Sequence, residues 1–168
     1  ESEYRFVSFI ETTMQRYSDR NLSIRKLTLE FLNFDEEMEV ERIDRWLSIA
    51  VENQVEDLSL HVPTYGLPMI LFSAKSLISL KCSSVIVTRC PSVMLISLQS
   101  LDLSYLDIDE HMLHHPVRSC PLRRLWLNGC TGISNFTFLT CSKLELLAIV
   151  EPINSGGLVN AGTSSIQH

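Results

Sequence analysis

The sequence predicts an α/β solenoid. About six short parallel strands form a sheet on its concave side, with helices and irregular turns on its convex side. Three observations predict this fold: a short apolar motif recurs six times, its spacing is nearly constant, and the motif has the two-residue period of a strand. The alternative is an ordinary α/β domain with leucine-rich strands, which is disfavoured because a doubly wound sheet needs longer helices between its strands.

The repeated motif is an apolar residue, two further residues, and an apolar-x-apolar strand core. Its central residues are Leu27, Leu58, Leu80, Leu101, Leu125 and Leu147, so the intervals are 31, 22, 21, 24 and 22 residues. Four of these five intervals lie within the roughly 20–29 residues of leucine-rich repeats. Each strand is too short to be stable alone, but stacked copies bury their leucines in one continuous core.

Two longer helices are expected between and before the strands. The first interval of 31 residues holds a helix over 36–53, with Asp35 as its cap. Its apolar stripe contains Val40, Ile43, Leu47 and Val51, widened by Trp46 and Ala50. A second helix over 4–17 is expected to cap the N-terminal end of the core through Phe6, Phe9, Ile10 and Met14. Shorter helical turns are predicted over 69–74, 110–115 and 136–141.

The domain organisation follows from these elements. Residues 1–152 are predicted to form one repeat domain with an N-terminal capping helix, and the small, polar tail over 153–168 is expected to be disordered. Because residue 1 is Glu and not Met, we expect the chain to be part of a longer polypeptide.

Composition and charge exclude several classes of partner. The net charge of −6 argues against nucleic acid or an anionic membrane, since binding phosphates needs clustered Lys and Arg. The five cysteines are odd in number and contain no C-x-x-C pair, so neither a disulfide framework nor a zinc site is expected. Buried, reduced thiols in a cytoplasmic or nuclear protein fit better.

Side chains between and beside the strand leucines point away from the core, onto the concave side. We select six of them as candidate residues for binding a protein partner: His61, Lys81, Asp102, Arg124, Trp126 and Asn128. Lys81 and Asp102 are predicted cross-strand neighbours that can satisfy each other, a contribution of at most about 1 kcal/mol. An outward Trp126 flanked by Arg124 has the composition of an interaction hot spot. The alternative is that the indole packs against a neighbouring loop.

The last strand departs from this pattern because Leu146, Ala148 and Val150 are apolar where the other repeats are polar. Either a further C-terminal segment covers this face, which is the favoured interpretation, or the patch binds something.

No constellation of catalytic residues is recognisable, and no cofactor is implied. His111 and His115 have the i, i+4 spacing of a metal pair, but no H-E-x-x-H pattern surrounds them, and solvated surface histidines explain them better. A pocket for inositol phosphate on the concave face is a weaker hypothesis, because the face offers only Lys26, Lys81 and Arg124. The sequence therefore predicts a binding module and not an enzyme.

Three stretches resemble the plant F-box proteins that carry degenerate leucine-rich repeats. They are residues 6–29, a short helix and the first strand; residues 43–60, a helix with an internal Trp46 and a strand; and residues 67–80. The resemblance covers residues 4–150. The repeat at Leu125 also fits the cysteine-containing type, with Cys130 at the turn where the other repeats offer Pro63, Val85 and Leu106.

The resemblance implies substrate reception for an SCF-type ubiquitin ligase, in which an F-box holds the Skp-type adaptor and the repeats hold the protein target. No F-box and no C-terminal domain of that family is recognisable in these 168 residues. A Skp-type adaptor is therefore expected to bind only through an F-box absent from this chain. The alternative is a free-standing repeat scaffold or recognition module without a link to a ligase.

Overall fold

The computed structural model describes residues 2–31, 36–87, 95–109, 112–114, 119–134, 143–150 and 163–167. Its elements, in chain order, are α1 (Ser2–Asp19), β1 (Lys26–Glu30), α2 (Glu36–Glu52), β2 (Asp57–His61), a 3-10 helix (Met69–Ser73), β3 (Ser79–Ser83), β4 (Ser100–Ser104), β5 (Arg124–Asn128), β6 (Leu146–Val150) and β7 (Thr163–Gln167).

The strands form a single sheet whose order follows the chain from β1 to β7. Strands β1 to β6 are parallel, and the central leucine of each repeat lies in register with that of the next. This arrangement confirms the predicted leucine-rich-repeat solenoid and the alignment of its six copies. The register also determines which side chains of neighbouring strands lie next to each other on either face of the sheet.

The core is the stack of strand leucines that the repeat predicted. Leu58, Leu80, Leu101 and Leu125 are buried at the centres of β2 to β5. Leu27 and Leu147, in the first and sixth strands, are only half-buried but pack against this core. Neighbouring repeats on both sides cover the four inner leucines, and this continuous apolar stack is the main stabilising feature of a solenoid.

Helix α2 forms as predicted and ends one residue earlier, at Glu52. Its most deeply buried residues are Ile43, Trp46, Leu47 and Ala50, whereas Val40 and Val51 lie at the margins and are half-buried. The predicted stripe is thus correct, but it centres on Trp46. The ring of Phe31, just after β1, stacks on the Trp46 indole with ring centroids 6.5 Å apart.

The buried face of α1 differs from the predicted one. The helix packs through Met14, which is buried, and through the half-buried Val7, Ile10 and Tyr17. Phe6 and Phe9 are 56% and 68% exposed, so assigning them to the core face was wrong. Successive residues of a helix are rotated by about 100°, and the 7, 10, 14, 17 spacing therefore defines a face that turns Phe9 towards solvent.

The turns between strands follow the prediction in part. The turn predicted over 69–74 is the 3-10 helix Met69–Ser73. In the turn predicted over 110–115, residues 112–114 are helical. The rest of that turn, the turn predicted over 136–141 and the predicted cap Asp35 lie outside the described residues.

One strand forms where a disordered tail was predicted. Strand β7 (Thr163–Gln167) pairs antiparallel with β6, so that Leu147 lies opposite Ile166. Residues 163–167 of the predicted tail thus form a strand in the structure, and residues 153–162 lie outside the described part of the chain. Without β7, the backbone N–H and C=O groups on this edge of β6 would have no strand to pair with. Even a mostly polar strand can satisfy them, because the hydrogen bonds are made by the backbone.

The turn after β5 requires a glycine at position 132. Gly132 has φ +84°, and a Cβ built there would stand 2.5 Å from the carbonyl oxygen of Ile108. The neighbouring Thr131 holds this turn to the preceding repeat, because its backbone pairs with Leu106 and Ile108. The close approach of two backbones therefore depends on the missing side chain.

We expect Gly132→Ala to lower the free energy of unfolding by about 1–3 kcal/mol, since the new methyl group meets backbone and the left-handed conformation becomes strained. Gly66→Ala is the matched control, because nothing lies within 4 Å of a Cβ at Gly66. Chemical denaturation of both variants measures the difference. Equal stability of the two proteins would show that the turn is not constrained in this way.

Candidate protein-binding face

The open face of the sheet is the set of side chains that alternate with the buried leucines. Its central column runs across β1 to β6 through Thr28, Ser59, Lys81, Asp102, Trp126 and Ala148. Two flanking columns run beside it: Lys26, Asp57, Ser79, Ser100, Arg124 and Leu146 on one side, and Glu30, His61, Ser83, Ser104, Asn128 and Val150 on the other. They are the side chains between and beside the strand leucines, which the sequence places away from the core.

Lys81 and Asp102 form the predicted cross-strand ion pair. The Nζ atom of Lys81 lies 3.5 Å from Oδ2 of Asp102. The other oxygen of this carboxylate accepts a hydrogen bond of 3.3 Å from the hydroxyl of Ser104. Both charges are therefore largely satisfied within the protein, and as a partly exposed pair they contribute at most about 1 kcal/mol to its stability.

Trp126 projects from the middle of β5 and remains 41% exposed. Its register neighbours on the open face are Asp102 and Ala148. A large aromatic side chain held on a rigid strand can bury much apolar area against a partner at little cost in conformational entropy. The indole is thus available for contact, as the hot-spot interpretation requires.

Arg124 and Asn128 flank Trp126 on the same strand. Arg124 is exposed and Asn128 is half-buried. Beyond Asn128 the strand ends at Gly129, which has φ +60° and lies under the ring of Tyr105. A Cβ at Gly129 would stand 2.8 Å from Cδ1 of Tyr105, so the glycine leaves room for the ring.

His61 borders the strand of Lys81 but is distant from the candidate residues of β5. It lies on β2, half-buried between Glu30 and Ser83 in its column. Three strand spacings separate β2 from β5, which is roughly 14 Å. The fold therefore places five of the six candidates on β3 to β5 and His61 on the strand next to Lys81.

The apolar side chains of β6 are not exposed. Ala148 is 1% exposed, and Leu146 and Val150 are half-buried. The strand also has a pairing partner on its free edge, β7. The patch that the sequence suggested as a second binding surface is therefore not open in the structure.

Each of the turns after β2, β3, β4 and β5 contains one equivalent residue that is buried or half-buried. The sequence assigned this residue correctly in three of the four turns. Val85 and Leu106 are buried and Cys130 is half-buried, with the Cys130 thiol donating to the carbonyl oxygen of Leu103 at 3.3 Å. After β2 the equivalent residue is Tyr65 and not Pro63, because Ile86 donates its backbone N–H to Tyr65 as Thr131 does to Leu106. Two extra residues in this turn shifted the alignment.

Tyr65 also links its turn to helix α2, which sequence reasoning missed. Its hydroxyl donates a hydrogen bond to the Asp44 carboxylate. Burial, together with this bond and the charge of Asp44, raises the pKa of Tyr65 well above its ordinary value. Tyr65 is thus a structural residue that stays neutral, and not a candidate acid or base.

The cysteines of the described residues are free thiols. Burial raises the pKa of Cys82 to about 12, with a smaller contribution from the Asp102 carboxylate. Burial also raises the pKa of Cys120 and Cys130. Thiols with raised pKa values are poor nucleophiles and poor metal ligands at neutral pH. No cluster of three metal-ligating side chains occurs among the described residues, which exclude His111 and His115.

The buried thiol of Cys82 predicts a loss of stability in alkali. The thiol ionises near its ordinary pKa of 9.0 in the unfolded chain and near 12 in the folded protein. Above about pH 9 the unfolded state therefore binds fewer protons, and linkage lowers the free energy of unfolding by up to about 1.4 kcal/mol per pH unit from this group. The contribution is fully present below about pH 9.

Denaturation in a reducing buffer, from about pH 8 to about pH 10.5, should give a shallower decline for Cys82→Ala than for the natural protein. Other groups titrate in both proteins, so the difference between the two slopes isolates Cys82. Parallel slopes would mean that this thiol is solvated in the folded state.

Comparison with known proteins supplies the family. The family model described as "At1g61320/AtMIF1, LRR domain" matches residues 14–155. The chain belongs to this family of leucine-rich-repeat domains. The match runs from within α1 to just beyond β6, so the family's domain contains the whole parallel part of the sheet.

Two relatives of this leucine-rich-repeat domain are F-box proteins of Arabidopsis thaliana. It is 36% identical over 105 residues to the FBD-associated F-box protein At1g66310, covering 61% of this chain and 23% of that protein. It is 30% identical over 148 residues to the putative FBD-associated F-box protein At5g56410, covering 79% of this chain and 29% of that protein. The domain thus spans less than a third of either relative.

No solved structure matches this leucine-rich-repeat domain. In the part of the chain that the structure describes, neither helix is long and apolar enough to span a bilayer. Leucine-rich-repeat sheets generally serve as protein-binding surfaces, and the F-box relatives agree with a recognition module.

Proposed function

We propose that this chain is the target-binding region of an F-box protein that serves as substrate receptor of an SCF-type ubiquitin ligase. The observation that carries the proposal is the exposed Trp126 beside Arg124 on the open face of a leucine-rich-repeat sheet. The relatives named as F-box proteins support the link to ubiquitination.

The domain acts by binding and performs no catalysis of its own. Its open face offers the exposed indole of Trp126 with polar neighbours, which is the composition of a protein-binding hot spot and its rim. No cofactor is needed for such recognition. The free thiols of Cys82, Cys120 and Cys130 suit the reducing cytoplasm or nucleus.

In this scheme the two partners bind at separate places. A Skp-type adaptor binds an F-box outside the chain described here, and the protein target lies on the open face between β3 and β5. The candidate contact residues are Lys81, Asp102, Arg124, Trp126 and Asn128, with His61 at the margin. Substitutions on the open face should therefore affect target binding and leave adaptor binding unchanged.

Capture of the tagged, full-length protein from its source tissue tests both halves of the proposal. Degradation is blocked, and three forms are compared: the natural sequence, the double variant Arg124→Ala/Trp126→Ala, and Phe9→Ala as a control for an exposed aromatic residue on α1. We expect a Skp-type adaptor with all three forms. A protein target should be captured by the natural form and by Phe9→Ala and be lost from the double variant.

Two results would contradict the proposal in different ways. Absence of the adaptor from every capture would remove the link to the ligase and favour a free-standing repeat scaffold. Retention of all captured proteins by the double variant would show that the open face at β5 is not the binding surface.

A further inference from the structure

Two basic residues of the open face have an acidic register neighbour, whereas the register neighbours of Arg124 are uncharged. In the flanking column that also contains Arg124, Lys26 faces Asp57. Lys81 and Asp102 form the ion pair of the central column. Arg124 instead lies between Ser100 and Leu146, neither of which carries a charge.

Arg124 also has no ion pair with any residue that the structure describes. The preceding Arg123 is paired, because its Nη1 atom lies 3.2 Å from Oε1 of Glu145. That pair lies at the beginning of β5 and β6, where Arg123 and Glu145 precede the strands. Of the two adjacent arginines, only Arg124 therefore presents an exposed guanidinium group to the open face without a matching carboxylate among the described residues.

Two exposed aromatic side chains, Trp126 and Tyr105, lie along the same strand as Arg124 or against its end. Trp126 is two residues from Arg124 on β5, and residues at this separation lie about 7 Å apart on one face of a strand. Tyr105, 64% exposed, places its ring against Gly129 at the end of that strand. The strip along β5 thus has a cation at its beginning and apolar aromatic surface in its middle and at its end.

We propose, building on the function proposed above, that the strip along β5 recognises an acidic segment of the protein target. A carboxylate of the segment binds the guanidinium group of Arg124. An apolar side chain about two residues further along the same segment packs against Trp126. Arginine suits this role because its planar fork of donors matches the two oxygens of a carboxylate.

Because the chain carries a net negative charge, recognition of an acidic segment depends on short-range contacts and not on long-range electrostatic attraction. At a net charge of −6 this chain repels an acidic partner at long range, so its net charge does not guide such a partner to the surface. Affinity must come from the contact with Arg124 and from the apolar area of Trp126. Binding should therefore weaken when Arg124 is altered, even though most of the interface remains.

Selection from a random library of displayed twelve-residue peptides tests the specificity directly. Three baits are compared: the natural chain, Arg124→Glu, and Lys26→Glu. Lys26→Glu is the matched control, because Lys26 and Arg124 belong to the same column and the change in charge has the same sign and size. All three baits are first shown to unfold at similar denaturant concentrations.

We expect the natural chain and Lys26→Glu to enrich peptides with Asp or Glu near an apolar residue, and Arg124→Glu to enrich Lys or Arg at the acidic position. Enriched peptides resynthesised for titration should bind Arg124→Glu at least tenfold more weakly than the natural chain. No enrichment, enrichment without acidic residues, or the same peptides from all three baits would overturn the inference.

The two proposals fail in distinguishable ways. If tissue capture recovers the adaptor and a target whose binding needs Trp126, but Arg124→Glu binds that target as tightly as the natural chain, the proposed function stands and the acidic segment is wrong. If acidic peptides are selected but no adaptor is captured, recognition through Arg124 stands and the link to the ligase is wrong.

Discussion

Leu125→Ala is expected to lower the free energy of unfolding by about 3–5 kcal/mol, the range of fully buried leucine truncations. Leu125 has no exposed surface, and it lies in register between Leu101 and Leu147. In a solenoid each repeat is stabilised mainly by its two neighbours, so a cavity at β5 weakens both adjoining interfaces at once. A loss of this size is a large part of the total stability of a domain this small.

Leu22→Ala is the matched control for this substitution, because Leu22 is exposed and the chemical change is the same. It should cost well under 1 kcal/mol. Denaturation in urea, followed by circular dichroism, gives both values from the shifts in midpoint. Similar midpoints for the two variants would mean that Leu125 does not point into the core and that the strand register is wrong.

Trp126→Ala, one residue further along the same strand, is expected to change stability little and to weaken target binding strongly. The side chain retains much of its exposure, so its truncation should cost less than about 1.5 kcal/mol of stability. The affinity for the protein target should fall by about 30-fold or more, the effect of losing a hot-spot residue of about 2 kcal/mol. Titration of the captured target against both forms measures this loss.

Two further variants make the Trp126 result interpretable. Trp126→Phe keeps part of the apolar area and should recover part of the affinity. Phe9→Ala, which also removes an exposed aromatic ring, should leave affinity unchanged because α1 lies outside the open face. If Trp126→Ala unfolds the protein or loses several kcal/mol of stability, the indole belongs to the core and the proposed contact is wrong.

The repeat could be recognised from the sequence because it depends on local patterns. The two-residue alternation around Leu58, Leu80, Leu101 and Leu125 determines which side chains enter the core, and copies of similar length stack in register. The columns of the open face follow from the same alternation. The sequence therefore predicts that Trp126 and the pair Lys81–Asp102 lie on the open face.

The errors occurred where local pattern was insufficient. Phe6 and Phe9 are as apolar as the residues that α1 buries, and only the direction in which the helix meets α2 decides which face is covered. Tyr65 was missed because the turn after β2 is two residues longer than its counterparts, and the backbone pairing with Ile86 reveals the shift.

The sequence by itself determined the class of fold, the register of the six parallel strands and the composition of the open face. It could do so because the same alternating apolar pattern occurs in all six repeats. The tertiary structure alone decided which apolar residues of α1 are buried, that β7 returns antiparallel to the edge of β6, and that Arg124 is left without a partner among the described residues. These features depend on contacts between segments far apart in the chain. Such contacts produce no repeating hydrophobic pattern by which the sequence alone could predict them.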